Sequence, residues 1–136
     1  MTALLFIYGT LLQPGNPFAN YLNSNCSYVC AGKIKGLLYD IGEYPGLIIN
    51  THAEGFVLGS VVKLHQPAEG LKVIDDYEGV GPEQDQPNLY LRTIQTIITA
   101  KGPADAWVYI YNLPVAGLPV IASGNYQEFA AHKTAP

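Results

Sequence analysis

The chain opens on an unbroken apolar run, Leu4 to Ile7, that stops at Tyr8-Gly9-Thr10-Leu11. A strand covered on both faces reads as such a run, whereas a half-solvated strand alternates. Gly9 then permits a sharp turn or a close approach by another group, because it has no Cβ. Residues 13–25 carry Pro, Gly and Asn around Phe18, Tyr21 and Leu22, which predicts a loop and a short helix starting near Pro17 with Asn16 as its cap. A long strand is predicted from Ser27 to Ile41, with Gly32 and Gly36 marking bends or bulges. Glu43-Tyr44-Pro45-Gly46 reads as a turn, followed by a short strand from Leu47 to Asn50. The Val-rich stretch from Phe56 to Leu64 is another strand. Residues 67–78 read as a helix, with Pro67 near the start and Gly79 beyond the end. After a Pro-containing loop to Asn88, Leu89 to Thr99 and Asp105 to Asn112 form two more strands. In the second, Trp107, Tyr109 and Tyr111 share one face, and Ala106, Val108 and Ile110 share the other. A short helix fits Tyr126 to Ala131. Many strands and few short helices predict an α+β domain around an antiparallel or mixed sheet.

Composition then narrows the function. At 136 residues one domain is expected over 1–136, large enough to bury a core. A hydrophobic content of 49% with only 13% charged residues excludes a disordered chain. Net charge is −4 and the seven Lys and Arg are scattered, so no basic patch speaks for nucleic acid. No apolar run approaches the roughly 18–20 residues of a membrane span, and no signal-peptide pattern precedes the first strand, so a cytoplasmic location is expected. Cys26 and Cys30 on one strand would sit about 13 Å apart, too far for a disulfide. Neither they nor the scattered His52, His65 and His132 have zinc-site spacing. No metal and no cofactor are expected.

One carboxylate looks out of place. On a helical wheel Glu78 falls between Leu71 and Ile74, on the face that should pack inward. Burial disfavours its charge, and so does the negative end of the helix dipole. Both raise a carboxyl pKa and suit a general acid or base. The alternative is a helix that frays at Tyr77 and turns Glu78 to water. Asp75 and Asp76 lie further round the wheel and read as solvated side chains.

Taken in order, several short blocks resemble the gamma-glutamylcyclotransferase-like (AIG2-like) family. They are Tyr8-Gly9-Thr10-Leu11, Gly36-Leu37-Leu38-Tyr39-Asp40-Ile41-Gly42, Tyr44-Pro45-Gly46 and Ile74-Asp75-Asp76-Tyr77-Glu78-Gly79. Tyr90-x-Arg92, Ala106 to Asn112 and Ser123-Gly124-Asn125-Tyr126 follow in the same order. The resemblance implies a small, partly closed mixed or antiparallel β-barrel with flanking short helices. It also implies a pocket floored by Tyr8, Gly9, Thr10 and Leu11, with Glu78 as the catalytic residue. In such enzymes a γ-glutamyl amide is cleaved by its own α-amine, giving 5-oxoproline and a free amine or amino acid. The implied partner is therefore a small γ-glutamyl substrate. Asn125 stands where an acid is common in the family, a departure that falls in a loop.

No Gly-x-Ser-x-Gly elbow or convincing Cys–His pair is present, which agrees with a reaction needing no enzyme nucleophile. Tyr111 could donate to the substrate anion or serve as a core tyrosine. Two other readings share the scaffold: a non-catalytic module that binds a small carboxylate, and an amide hydrolase that uses water.

Overall fold

The computed structural model describes residues 2–9, 19–42 and 44–133. Strand β1 spans Leu4–Ile7, helix α1 Ala19–Asn25, β2 Cys26–Asp40, β3 Pro45–Ile49 and β4 Phe56–Leu64. Helix α2 spans Pro67–Glu78, β5 Tyr90–Thr99, β6 Gly102–Tyr111 and α3 Tyr126–Lys133. The predicted start of α1 at Pro17 and its cap at Asn16 lie outside the described residues.

The strands run in the order β3-β2-β4-β1-β6-β5, and β5 pairs back onto β2 through Lys33 and Ile98. That contact closes β2, β4, β1, β6 and β5 into a five-stranded barrel, with β3 added to the end of β2. Only the β1–β6 pairing is parallel, which makes the barrel mixed. Closure removes most of the unpaired strand edge that an open sheet would expose.

β2 is long because it serves two partners. Cys26 to Lys35 pair with β4, and Gly36 to Asp40 pair with β3. Gly36 sits at the changeover, as a bend predicts. Gly32 is not a bulge: the register shift lies between Tyr28 and Cys30. At Gly32 a Cβ would fall 2.6 Å from the Ile97 side chain on the neighbouring β5, so that glycine is an approach point at the seam that closes the barrel. Cys26 and Cys30 are both free.

The core has two parts. Phe6, Ile34, Leu38, Val57, Val61, Ile97, Ala106 and Val108 fill the barrel. Leu5, Ile7, Leu64, Leu71, Ile74, Tyr90, Tyr109 and Tyr111 pack between the barrel wall and α2. β1 is therefore covered on both faces, and this is why its sequence does not alternate. Among the described residues no helix is long and apolar enough to cross a membrane.

Candidate active site

Glu78 is the last residue of α2, and the helix does not fray before it. Gly79 adopts φ 76°, and both its N–H and that of Val80 donate to the Asp75 carbonyl. A left-handed residue at this point favours glycine and closes the final turn. Leu71 and Ile74 are buried on the inner face, with 3% and 0% of their surface exposed. One turn beyond Ile74, that face carries Glu78 into a cleft at the end of β1.

The cleft is lined by Leu5 to Gly9, Pro45, Glu78, Tyr90 and Tyr109, and encloses about 360 Å³ including its open mouth. Glu78 keeps part of its surface open because it faces this space. Its carboxyl is nonetheless poorly solvated, and burial pushes its pKa up from 4.5 to about 7. The surrounding hydroxyls explain why nothing offsets the burial. Tyr8 Oη donates to the Tyr109 carbonyl at 2.6 Å, and Tyr90 Oη donates to the Pro45 carbonyl at 2.5 Å. Tyr109 Oη donates to Asp75 Oδ1 at 2.7 Å. Burial raises the pKa of all three phenols, with the negative charge of Glu78 adding to the effect, so they remain protonated. Each hydroxyl proton is already committed to the wall. Among the described residues none is donated to Glu78.

Gly9 is needed here for closeness. A Cβ would stand 2.8 Å from Pro45 Cγ, a contact that side chains do not make, and Gly9 is absent from the positive-φ glycines. Its carbonyl accepts from Gln127 Nε2 at 3.0 Å, which ties the end of β1 to α3. No described residue accepts from its N–H. Thr10 and Leu11, the rest of the predicted loop, lie outside the described residues. Tyr111 is buried, edge-on to Tyr90 with ring centroids 5.7 Å apart and against Gly46. It is not among the residues that line the cleft.

Asp75 is not the solvated side chain that the wheel suggests. Arg92 clamps both its oxygens, Nε at 2.8 Å and Nη2 at 3.1 Å, and Tyr109 adds its hydroxyl. The Arg92 guanidinium also lies over the Trp107 ring, 4.3 Å from its centroid. This bidentate pair joins α2 to β5 and β6 three residues before Glu78. A wheel reports direction around one helix and knows nothing of the strand that meets it. Tyr90, Tyr109 and Gln127 likewise join the site only in the folded chain, although Tyr90-x-Arg92 and the aromatic face of β6 are visible in the sequence. For Gln127 the sequence carries no signal. Among the described residues no group of His, Cys, Asp and Glu is placed to hold a metal ion.

Comparison with known proteins agrees with this architecture. The family profile described as "Gamma-glutamyl cyclotransferase, AIG2-like" matches residues 5–128. The protein is similar to the gamma-glutamylcyclotransferase family protein ytfP of Citrobacter rodentium (strain ICC168), 32% identical over 124 residues, 90% of this chain and 93% of that one. It is similar in structure to ytfP of Escherichia coli, with a TM-score of 0.64, 29% identity, and 93% and 98% of the two chains covered. YkqA of Bacillus subtilis shares the fold, with a TM-score of 0.73 and 23% identity over all of this chain. That match spans only 44% of YkqA.

Proposed function

Because the chain belongs to the gamma-glutamyl cyclotransferase, AIG2-like family, we propose that it cleaves a γ-glutamyl amide by ring closure, releasing 5-oxoproline and a free amine or amino acid. The observation that carries this reading is Glu78: a desolvated carboxyl with a pKa near 7, facing a cleft, with no hydrogen bond from a described residue. A group that titrates near neutrality suits both halves of a proton transfer.

In the proposed reaction the Glu78 carboxylate takes a proton from the substrate's α-ammonium. The freed amine nitrogen attacks the γ-carbonyl carbon, forming the new C–N bond of the five-membered ring. The bond from that carbon to the leaving nitrogen then breaks as Glu78 returns the first proton to it. The second proton, shed by the ring nitrogen as it becomes the lactam N–H, follows through Glu78 to the departing amine, which leaves as an ammonium. No water and no enzyme nucleophile is consumed. Proximity favours the closure, because the nucleophile belongs to the substrate. The transfer through Glu78 is worth about 10²–10⁴-fold. The Gly9 N–H, which has no acceptor among the described residues, is assigned to the substrate carboxylate or to the developing oxyanion. Pairing that anion with backbone dipoles avoids placing a fixed cation beside Glu78.

The test is product analysis after incubation with a panel of γ-glutamyl amines and amino acids. 5-Oxoproline in equal amount to the released amine is expected. Free glutamate would replace ring closure by hydrolysis. Tight binding with no product would make the protein a binding module.

A further inference from the structure

A second cleft meets the first at Glu78. Tyr44, Tyr77, Glu78, Leu89 and Tyr90 line it, and it encloses about 480 Å³ including its mouth. Glu78 and Tyr90 belong to both clefts, so a bond placed at the Glu78 carboxyl borders both spaces. If the γ-glutamyl part occupies the β1 side, as the proposed function has it, the departing nitrogen faces the second cleft.

The walls of that cleft are three tyrosine rings and a leucine. Tyr90 is held by its hydroxyl bond to Pro45 and by the edge-on Tyr111, and its ring lies 6.3 Å from that of Tyr44. Leu89 is pinned through its carbonyl, which accepts from the Asn112 N–H at 2.9 Å. These are firm apolar surfaces suited to packing against a ring or a branched alkyl group. Among the described residues the only charge in the lining is Glu78, and it is negative. The basic side chains that the structure describes are placed elsewhere: Lys33 and Lys35 lie over Phe56, Arg92 is clamped by Asp75, Lys63 and Lys72 are exposed on β4 and α2, and Lys101 is exposed in the turn between β5 and β6. The undescribed stretch 10–18 contains no Lys, Arg or His, and position 43 is Glu. A carboxylate carried into this cleft would lose water, gain no cation from a described side chain and face an acid.

We infer that the Tyr44–Tyr77–Leu89–Tyr90 cleft is the leaving-group subsite, and that it selects amines with an aromatic or branched apolar body and no carboxylate beside the released nitrogen. Size alone would not separate such an amine from its parent amino acid. Charge does.

Matched substrate pairs that differ only in that carboxylate test the inference: γ-glutamylphenethylamine against γ-glutamylphenylalanine, and γ-glutamyl-isopentylamine against γ-glutamyl-leucine. Wild-type kcat/KM should favour the decarboxylated member of each pair at least tenfold. Leu89→Lys, which adds a cation to the wall, should shrink that preference at least threefold by improving the amino-acid member. Binding of the same pairs to the Glu78→Gln protein, followed by calorimetry, should show the same order without turnover. Equal or reversed preference, or a preference that Leu89→Lys does not move, overturns the subsite. Failure to bind any of the four compounds overturns it as well. A binding preference with no 5-oxoproline from the wild-type enzyme would instead sink the proposed reaction and leave the subsite standing.

Discussion

Along β6, Ala106 and Val108 face the barrel among Phe6, Val57, Val61 and Ile97, while Trp107, Tyr109 and Tyr111 face α2. The barrel side of this strand offers only hydrocarbon, and its requirement is volume. On the α2 side every residue carries a polar atom, and two of them spend it on fixed bonds. Trp107 Nε1 donates to the Thr2 carbonyl at 3.1 Å, and Tyr109 Oη donates to Asp75. The difference shows how a small barrel holds a carboxyl with no hydrogen-bond partner among the described residues. Hydroxyls that could have solvated Glu78 are tied into its wall, so the acid keeps a pKa near 7. One strand thus serves packing on one face and electrostatics on the other.

Removing the carboxyl should break this division most completely. Glu78→Gln keeps the size of the side chain and loses the titrating group, so kcat should fall about 10²–10⁴-fold with the far-UV spectrum unchanged. In the wild type, kcat/KM should rise with pH through about 7, because the base form accepts the proton. Stability should run the other way. The folded protein holds this proton more tightly than the unfolded chain does, so the contribution of Glu78 is most favourable at low pH. It is lost as pH rises from about 4.5 through about 7. The variant lacks that loss, and its Tm relative to wild type should be higher at pH 8 than at pH 5. Retention of a tenth of wild-type kcat would remove Glu78 from the proton transfer.

Gly9→Val probes the same cleft from its β1 side. The new Cβ would press into Pro45, 2.8 Å away, and would displace the backbone N–H assigned to the substrate. Loss of one oxyanion donor costs about 2.7–4 kcal/mol, so kcat/KM should drop about a hundredfold or more. A folded Gly9→Val protein with near-normal kcat/KM would reduce this segment to a tight turn.

The parts of this arrangement that could be read from sequence are those governed by local period. Leu4 to Ile7 reads as a strand covered on both faces, and the alternation of Ala106 to Tyr111 assigns the two faces of β6 correctly. Glu78 emerges from the wheel because its neighbours Leu71 and Ile74 define the buried stripe. Contacts between distant elements carry no such period. The Arg92 clamp on Asp75 spans 17 residues, and the Gln127 bond to Gly9 spans 118. The register shift at Tyr28/Cys30 falls away from both glycines for a related reason. It is set by the partner strand, while Gly32 answers to a side chain on the neighbouring β5.

The smallest expected effect on turnover gives the sharpest form of the comparison, since it concerns two adjacent residues of β6. Val108→Ala removes two buried methyl groups from the barrel, where Val108 is fully enclosed. Transfer and cavity terms together should cost about 1.5–3 kcal/mol of stability. Val108 is not part of either cleft wall, so kcat per folded molecule should stay within about twofold of wild type. Tyr109→Phe keeps the ring and loses one hydroxyl bond to a carboxylate, worth about 1.5–3 kcal/mol, and leaves the Asp75 carboxylate with Arg92 as its partner among the described residues. Its stability loss should therefore be of similar size. Its loss of kcat should be the larger, because the end of α2 that positions Glu78 has lost an anchor. Denaturant unfolding and initial rates on the two variants measure both quantities. If both lose activity in proportion to stability, the two faces of β6 are not separate in function, and Glu78 depends on the whole barrel.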